Sequence, residues 1–200
     1  PLYIESAAVT AFHADQPFPS QVADQVEAVR GVRALYPMRF VPATFRGQEL
    51  VVYAFPIVQA AFAGDQITRG LGISRDRMLH GLSPEEVVVS RFMRDNRKLH
   101  LGDELDLPLR GGTRTFRVAG FFNDLPTFDT LYVEHDIYRR LTGDDAADRY
   151  AVIPEAGTSV FVLRDRLQRL LRQRHIEALV LTGREMADAV KRQIIPIFAM

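Results

Sequence analysis

Between Leu99 and Phe122 the chain reads LHLGDELDLPLRGGTRTFRVAGFF, two alternating segments divided by glycines. Leu105, Leu107 and Leu109 alternate with Glu104, Asp106 and Pro108, and Phe116, Val118 and Gly120 alternate with Thr115, Arg117 and Ala119. Successive side chains of a strand point to opposite faces, so a period of two predicts two half-buried strands; a helix would scatter the same residues around its circumference. Gly111-Gly112 predicts a tight hairpin between them. Gly102 is expected to take a positive φ at the end of a preceding helix, Asp103 to bond back to nearby amides, and Gly120 to mark a bulge. One face of this small sheet goes into a core.

The surrounding segments follow a different pattern. Leu2 to Phe12 reads as a strand, followed by a helix capped by Ser20, with Val22, Val26 and Val29 on one face and Gly31 at its end. VRALYPMRFVPATF and QELVVYAFP predict a hairpin joined at Arg46-Gly47, in which Pro37 and Pro42 argue for an edge or bulged strand. Downstream, RYAVIP reads as a strand, Thr158 to Gln173 as a helix, IEALVLTG as a strand, and a last helix begins near Arg184. In the middle, Val87 to Ser90, Asp103 to Leu109, Thr113 to Phe122 and Thr130 to Glu134 read as strands, with a helical turn over Arg91 to Lys98. These elements predict an α+β protein: a split ferredoxin-like βαβ/βαβ unit, residues 1–57 plus 146–200, with a small, mostly β subdomain, 58–145, inserted. The insertion should leave and return at neighbouring points, placing Ala60 near Asp145.

Lys plus Arg (25) balance Asp plus Glu (25), which argues against nucleic acid as a partner. With no cysteine, disulfides and thiolate zinc sites are excluded. His13, His80, His100, His135 and His175 show no His-x3-His or His-Glu-x2-His spacing, so no metal site is expected. No Gly-x4-Gly-Lys-Ser/Thr occurs, and RGLGIS lacks the third glycine of a dinucleotide fingerprint, so no cofactor-binding residues are expected. Ser90 stands outside any nucleophile elbow. Asp124, Asp129, Glu134 and Asp136 crowd one region, where a pair of carboxylates supports acid and base chemistry, or where a solvated turn favours them next to a helix N-terminus. In VFVLRDRLQRLLRQR, Val160, Leu163, Leu167, Leu170 and Leu171 form an apolar stripe, with Arg166, Arg169 and Arg172 on a solvated face. Phe121, Phe122 and Phe128 are candidates for a partner surface, because exposed apolar patches usually mark one.

Several of these segments together carry a family resemblance. The valine-rich strand ending in Ser90, the short helix, LHLGDEL, FRVAGFFND and LYVEHDIYRRLTGDD resemble, in that order, the extracytoplasmic core domain of FtsX-like, MacB-type ABC transporter permeases. EAVRGVRALYPMRF and the last helix, Arg184 to Gln193, resemble the flanks of that domain, so the likeness spans nearly the whole chain. Arg91 departs from the acidic residue the family often has after the serine. The resemblance implies a non-enzymatic domain on the extracytoplasmic side of the cell membrane, carried by transmembrane helices. It also implies a partner cytoplasmic ATPase subunit that hydrolyses the ATP, a permease dimer, and engagement of a hydrophobic substrate or an extracytoplasmic partner protein.

Two further features bear on this reading. The apolar stretch Leu50 to Gly64 is interrupted by Pro56 and Gln59 and is too short for a bilayer span. Pro1 and the apolar run Ile194 to Met200 read as the edges of an excised segment, the latter either a final helix packed on the core or the first turn of a membrane helix. If both ends lead into a membrane, Pro1 and Gln193 should lie on one side of the domain. The alternative is a free-standing soluble hydrolase using the acidic turn near Asp124 to Asp136.

Overall fold

The chain's computed structural model describes residues 1–6, 9–10, 13–14, 16–57, 82–109, 111–122 and 129–189. The strands are β1 (Leu2–Ser6), β2 (Val9–Thr10), β3 (His13–Ala14), β4 (Val32–Phe45), β5 (Gln48–Phe55), β6 (Glu86–Ser90), β7 (Glu104–Leu109), β8 (Gly112–Phe122), β9 (Thr130–Glu134), β10 (Arg149–Pro154) and β11 (Ala178–Thr182). The helices are α1 (Gln21–Glu27), α2 (Arg91–Arg97), α3 (His135–Thr142) and α4 (Val160–Gln173). Residues 183–189 are also helical.

The chain forms two compact units, one of Pro1–Met38 with the chain from Asp145 onward, the other of Arg39–Asp144. In the first, the strand order is β11-β1-β10-β4, every pair antiparallel. Counted within the unit this is fourth-first-third-second, the ferredoxin-like order, with α1 and α4 as its two crossovers. The core explains why these segments adopt these elements. Leu2 and Ile4 of β1, Tyr150 and Val152 of β10 and Val180 of β11 alternate inward, and meet Val22 and Val26 of α1 and Leu163, Leu167 and Leu171 of α4. Each such side chain, fully buried, stabilises by about 1.5–3 kcal/mol. Val160 and Leu170, also in the expected stripe, are partly buried at its margin.

Three local expectations change here. The segment 2–12 does not run as one strand, since β1 ends at Ser6 and β2 belongs to a separate sheet, where among the described residues it pairs with β3. Ser20 occupies the N-cap of α1 but its side chain makes no cap bond, because its backbone is already helical (φ −55°, ψ −31°). Helix α1 ends at Ala28, and Gly31 instead turns the chain into β4 at φ +101°, where a Cβ would stand 2.9 Å from Thr158 Cγ2. Only glycine fits so close an approach.

The second unit orders its strands β4-β5-β9-β6-β8-β7. β4 and β5 form the expected hairpin, Phe45 facing Gln48 across Arg46 (φ 51°) and Gly47 (φ 76°), the left-handed pair a two-residue turn needs. β7 and β8 form the other, closed where Leu109 faces Gly112. β5 pairs β9 and β6 pairs β8 in parallel, while β6 and β9 are antiparallel. Leu105 and Leu107, Phe116 and Val118, Val87 and Val89, and Leu131 and Val133 turn to one face and are covered by Met93 of α2 and Ile137 and Tyr138 of α3.

The division falls earlier than residue 57, because β4 serves both units. Its residues from Val32 to Met38 pair with β10, and those from Arg39 to Phe45 pair with β5. Within each unit its segment is the last strand in the order, so Pro37 and Pro42 are tolerated although β4 has 14 residues. Met38 and Arg149 are register partners, so the chain leaves and rejoins the first unit at adjacent points; Ala60 lies outside the described residues.

Candidate functional site

The bulge in β8 decides where the phenylalanines go. Val87 faces Val118, but Val88 faces Gly120, so Ala119 is the extra residue and the alternation changes phase after it. Gly120 is buried, and its φ is not positive, so this bulge does not depend on a left-handed glycine. Phe121 consequently takes the side of Val118, half-buried against that core, with the Arg94 guanidinium 5.3 Å from its ring centre. Phe122 takes the opposite side, only 8% exposed, its ring 4.6 Å from Tyr132. Phe122 is therefore an interior residue on the face of Tyr132, whereas strict alternation puts it on the face of Phe116 and Val118 and leaves Phe121 outside. Phe128 lies outside the described residues.

The acidic residues do not converge on a catalytic pair among the described residues. Asp129 is buried and held by Arg97, whose Nε and Nη2 lie 2.6 and 2.5 Å from its Oδ2. Glu134 accepts the backbone N–H of Ile57 at 3.0 Å, while Asp136 is exposed and lies 3.7 Å from Arg139. Asp124 lies outside the described residues. Ser90 is fully buried as the N-cap of α2, its hydroxyl accepting from the N–H of Met93 (3.1 Å) and of Thr130 (3.3 Å). Asp103 accepts the His100 N–H at 2.8 Å, the expected back-bond, and Gly102 has φ +88°; the helix before it ends on Lys98, at φ 52°. No group of three or more metal-ligating side chains occurs among the described residues. His135, at the start of α3, is buried, and this desolvation lowers its pKa; its Nε2 has no partner among the described residues.

Two arrangements stand out, one in each unit. Arg39 and Asp144, first and last residues of the inserted unit, pair at 3.0 Å, and the Tyr138 hydroxyl donates to the same carboxylate at 3.3 Å. Burial and that carboxylate push the Tyr138 pKa to about 12. The second arrangement lies within the first unit, where β1 pairs with β10 and β11. Leu2 of β1 faces both Thr182 of β11 and Val152 of β10, and the Pro1 carbonyl accepts the Gly183 N–H at 3.2 Å. There Thr182 and Glu185 form a reciprocal cap: the Thr182 hydroxyl accepts the Glu185 N–H (3.2 Å) and the Glu185 carboxylate accepts the Thr182 N–H (2.8 Å). That bond lowers the Glu185 pKa, and Arg164 of α4 adds contacts of 3.1 and 3.2 Å. The signature Thr-x-x-Glu, TGRE at 182–185, announces this cap in the sequence. The final helix thus starts beside Pro1; Gln193 lies outside the described residues.

No protein-family model and no curated protein matches this sequence. Solved structures do match its fold. The periplasmic region of MacB from Actinobacillus actinomycetemcomitans superposes with a TM-score of 0.62 at 15% identity, over 96% of this chain and 91% of that one. The extracellular domain of the ABC-type transporter YknZ from Gram-positive bacteria does so with a TM-score of 0.59 at 14% identity, over 90% and 99%. The chain has the α+β fold of these transporter domains, as its resemblance implied. Among the described residues no helix is long and apolar enough to cross a membrane.

Proposed function

We propose that this chain is the extracytoplasmic module of an ABC transporter permease, anchored through membrane helices that precede β1 and continue the last helix. In this reading it engages a hydrophobic substrate or an extracytoplasmic partner and transmits motion driven by a separate cytoplasmic ATPase subunit, within a permease dimer. The observation that carries the reading is the pairing of Leu2 with Thr182 and of Pro1 with Gly183. A module held by membrane helices at both ends must receive and return its chain on one side, and adjacent packed helices sit about 8–10 Å apart. The likeness in fold to periplasmic and extracellular domains of transporters supports the same reading.

The test is made on the full-length protein in its membrane. Protease added to spheroplasts should cut this domain, protease added to inverted vesicles should not, and an ATP-hydrolysing subunit should copurify. A full-length protein recovered from the soluble fraction, or a domain cut only in inverted vesicles, would overturn the proposal.

A further inference from the structure

The end of the first unit where Pro1 meets Gly183 carries an exposed apolar pair that the core does not use. Helix α4 follows β10 directly, so its first turn lies at that end, a placement fixed by Arg164 on Glu185 and by the Arg166 guanidinium donating to the Arg30 carbonyl at 2.8 Å. In this turn Phe161 is 71% and Val162 46% exposed, two of the most exposed large apolar residues described. Their neighbours Leu163, Leu167 and Leu171 define the buried stripe, and Phe161 and Val162 point away from it.

The same end carries one more arginine than carboxylates, on a chain whose net charge is zero. The loop between α1 and β4 brings Arg30, the start of β4 brings Arg33 and the final helix brings Arg184, and all three are exposed. Arg164, bonded to Glu185, and Arg166 add two more cations from α4, so that five arginines stand against the four carboxylates of Glu27, Glu155, Asp165 and Glu185. Beside Val162 a depression of about 430 Å³ is lined by Arg30, Thr158, Ser159 and Arg166, with Glu155 also on its wall. Exposed Phe and Val bordered by arginines match the chemistry of an anionic lipid surface, where apolar side chains sink about 5–10 Å into the headgroup boundary and cations meet phosphates.

We infer that Phe161 and Val162, with Arg30 beside Val162 and Arg33 and Arg184 at the same end of the unit, form a lipid-contact face that seats the first unit on the anionic surface of the bilayer. This rests on the permease reading, since membrane helices leaving at Pro1 and after Gly183 hold this end against the headgroups. A face that sits on lipid fixes the orientation of the domain over its membrane helices without a protein contact.

The sequence provides a clean probe, because it contains neither Trp nor Cys. Phe161→Trp places a single indole on the face, and Gln173→Trp, exposed at the far end of α4, places one about 18 Å away along the helix axis. Each variant is coupled to vesicles through one cysteine added after Met200 and a maleimide lipid, which supplies the local concentration of a membrane anchor. With phosphatidylglycerol vesicles F161W should shift its emission to the blue and lose intensity to brominated acyl chains, while Q173W should do neither. Adding R30E and R33E to F161W, or raising the salt to about 0.5 M, should abolish the shift.

No response of F161W, or an equal response of Q173W, overturns the inference. An undiminished response on purely phosphatidylcholine vesicles overturns the assignment to an anionic surface. A blue shift that grows with protein concentration in the absence of vesicles also overturns it, and assigns the face to a second copy of the chain. The two readings fail separately: membrane-spanning flanks with a silent F161W sink only the lipid face, and a responsive F161W on a full-length protein without such flanks sinks only the permease.

Discussion

The two units solve the same problem, covering one face of a sheet with helices, in ways that differ in how far apart their partners lie in sequence. The first unit pairs four strands all antiparallel, and its order follows from two crossovers interleaved in one sheet. The inserted unit mixes two antiparallel hairpins with two parallel pairs, β5 with β9 and β6 with β8, and its register shifts within β8. Alternation places the core side chains of β1, β10 and β11 in the first unit, whose register shift falls at the end of β10, between Ile153 and Pro154. In the second, position depends on a bulge inside the paired run of β6 and β8, although its partners lie nearer in sequence, Val51 with Thr130 against Leu2 with Thr182 in the first.

The largest expected effects come from the two cores. Leu163→Ala and Leu105→Ala remove fully buried side chains, one from each unit, and should cost about 2–5 kcal/mol each. Hydrogen exchange read strand by strand sharpens the contrast: L163A should open β1, β10 and β11 most, L105A β7 and β8. Equal loss of protection throughout from either variant would show that the units do not differ in local stability.

Arg39→Ala tests the closure of the inserted unit. It strips a partner from Asp144, which is only 16% exposed and already accepts from Tyr138, so a loss of about 1–3 kcal/mol is expected in chemical denaturation. The loss should be concentrated in residues 39–144. Ser90→Ala should cost about 1 kcal/mol, because the hydroxyl caps α2 and satisfies Thr130 N–H in the same buried place. A neutral Ala variant would mean that water replaces both bonds.

The smallest effect is one of slope. The pKa of His135 is lowered in the fold from 6.5 by burial, so the unfolded chain binds the proton more readily. Stability should fall as pH drops through about 6.5 and level off below the lowered folded value. His135→Asn should flatten this part of the profile, measured as denaturation midpoint against pH. An unchanged profile would place the pH dependence elsewhere.

Local order was written plainly in the chain. Strands β10 and β9 begin and end where the pattern of RYAVIP and TLYVE puts them, Arg46-Gly47 closes the first expected hairpin, the second closes one residue earlier than Gly111-Gly112 because Gly112 already pairs with Leu109, and the stripe of α4 is the one its leucines describe. These features are legible because φ restrictions at glycine and the faces of a strand or helix depend on residues within one or two turns. Helix α3 was carried only by the family resemblance, and the capping box at Thr182 was present in the sequence but is meaningful only once a helix is known to start there.

What local pattern could not contain is any property set by pairing across the chain. One unbroken strand, β4, belongs to two units because β10 claims its first half and β5 its second, so no change of composition marks the boundary at Met38. The single residue inserted at Ala119 reverses the faces of Phe121 and Phe122, since β6 dictates where the ladder skips. The meeting of Pro1, Phe161, Arg30 and Gly183 at one end of the first sheet arises from strand order, which joins residues more than 150 positions apart. Sequence determined which segments are strands, helices and turns through short-range sterics and periodicity; tertiary structure alone decided which faces meet and where the chain enters and leaves, because those follow from long-range hydrogen-bond registers.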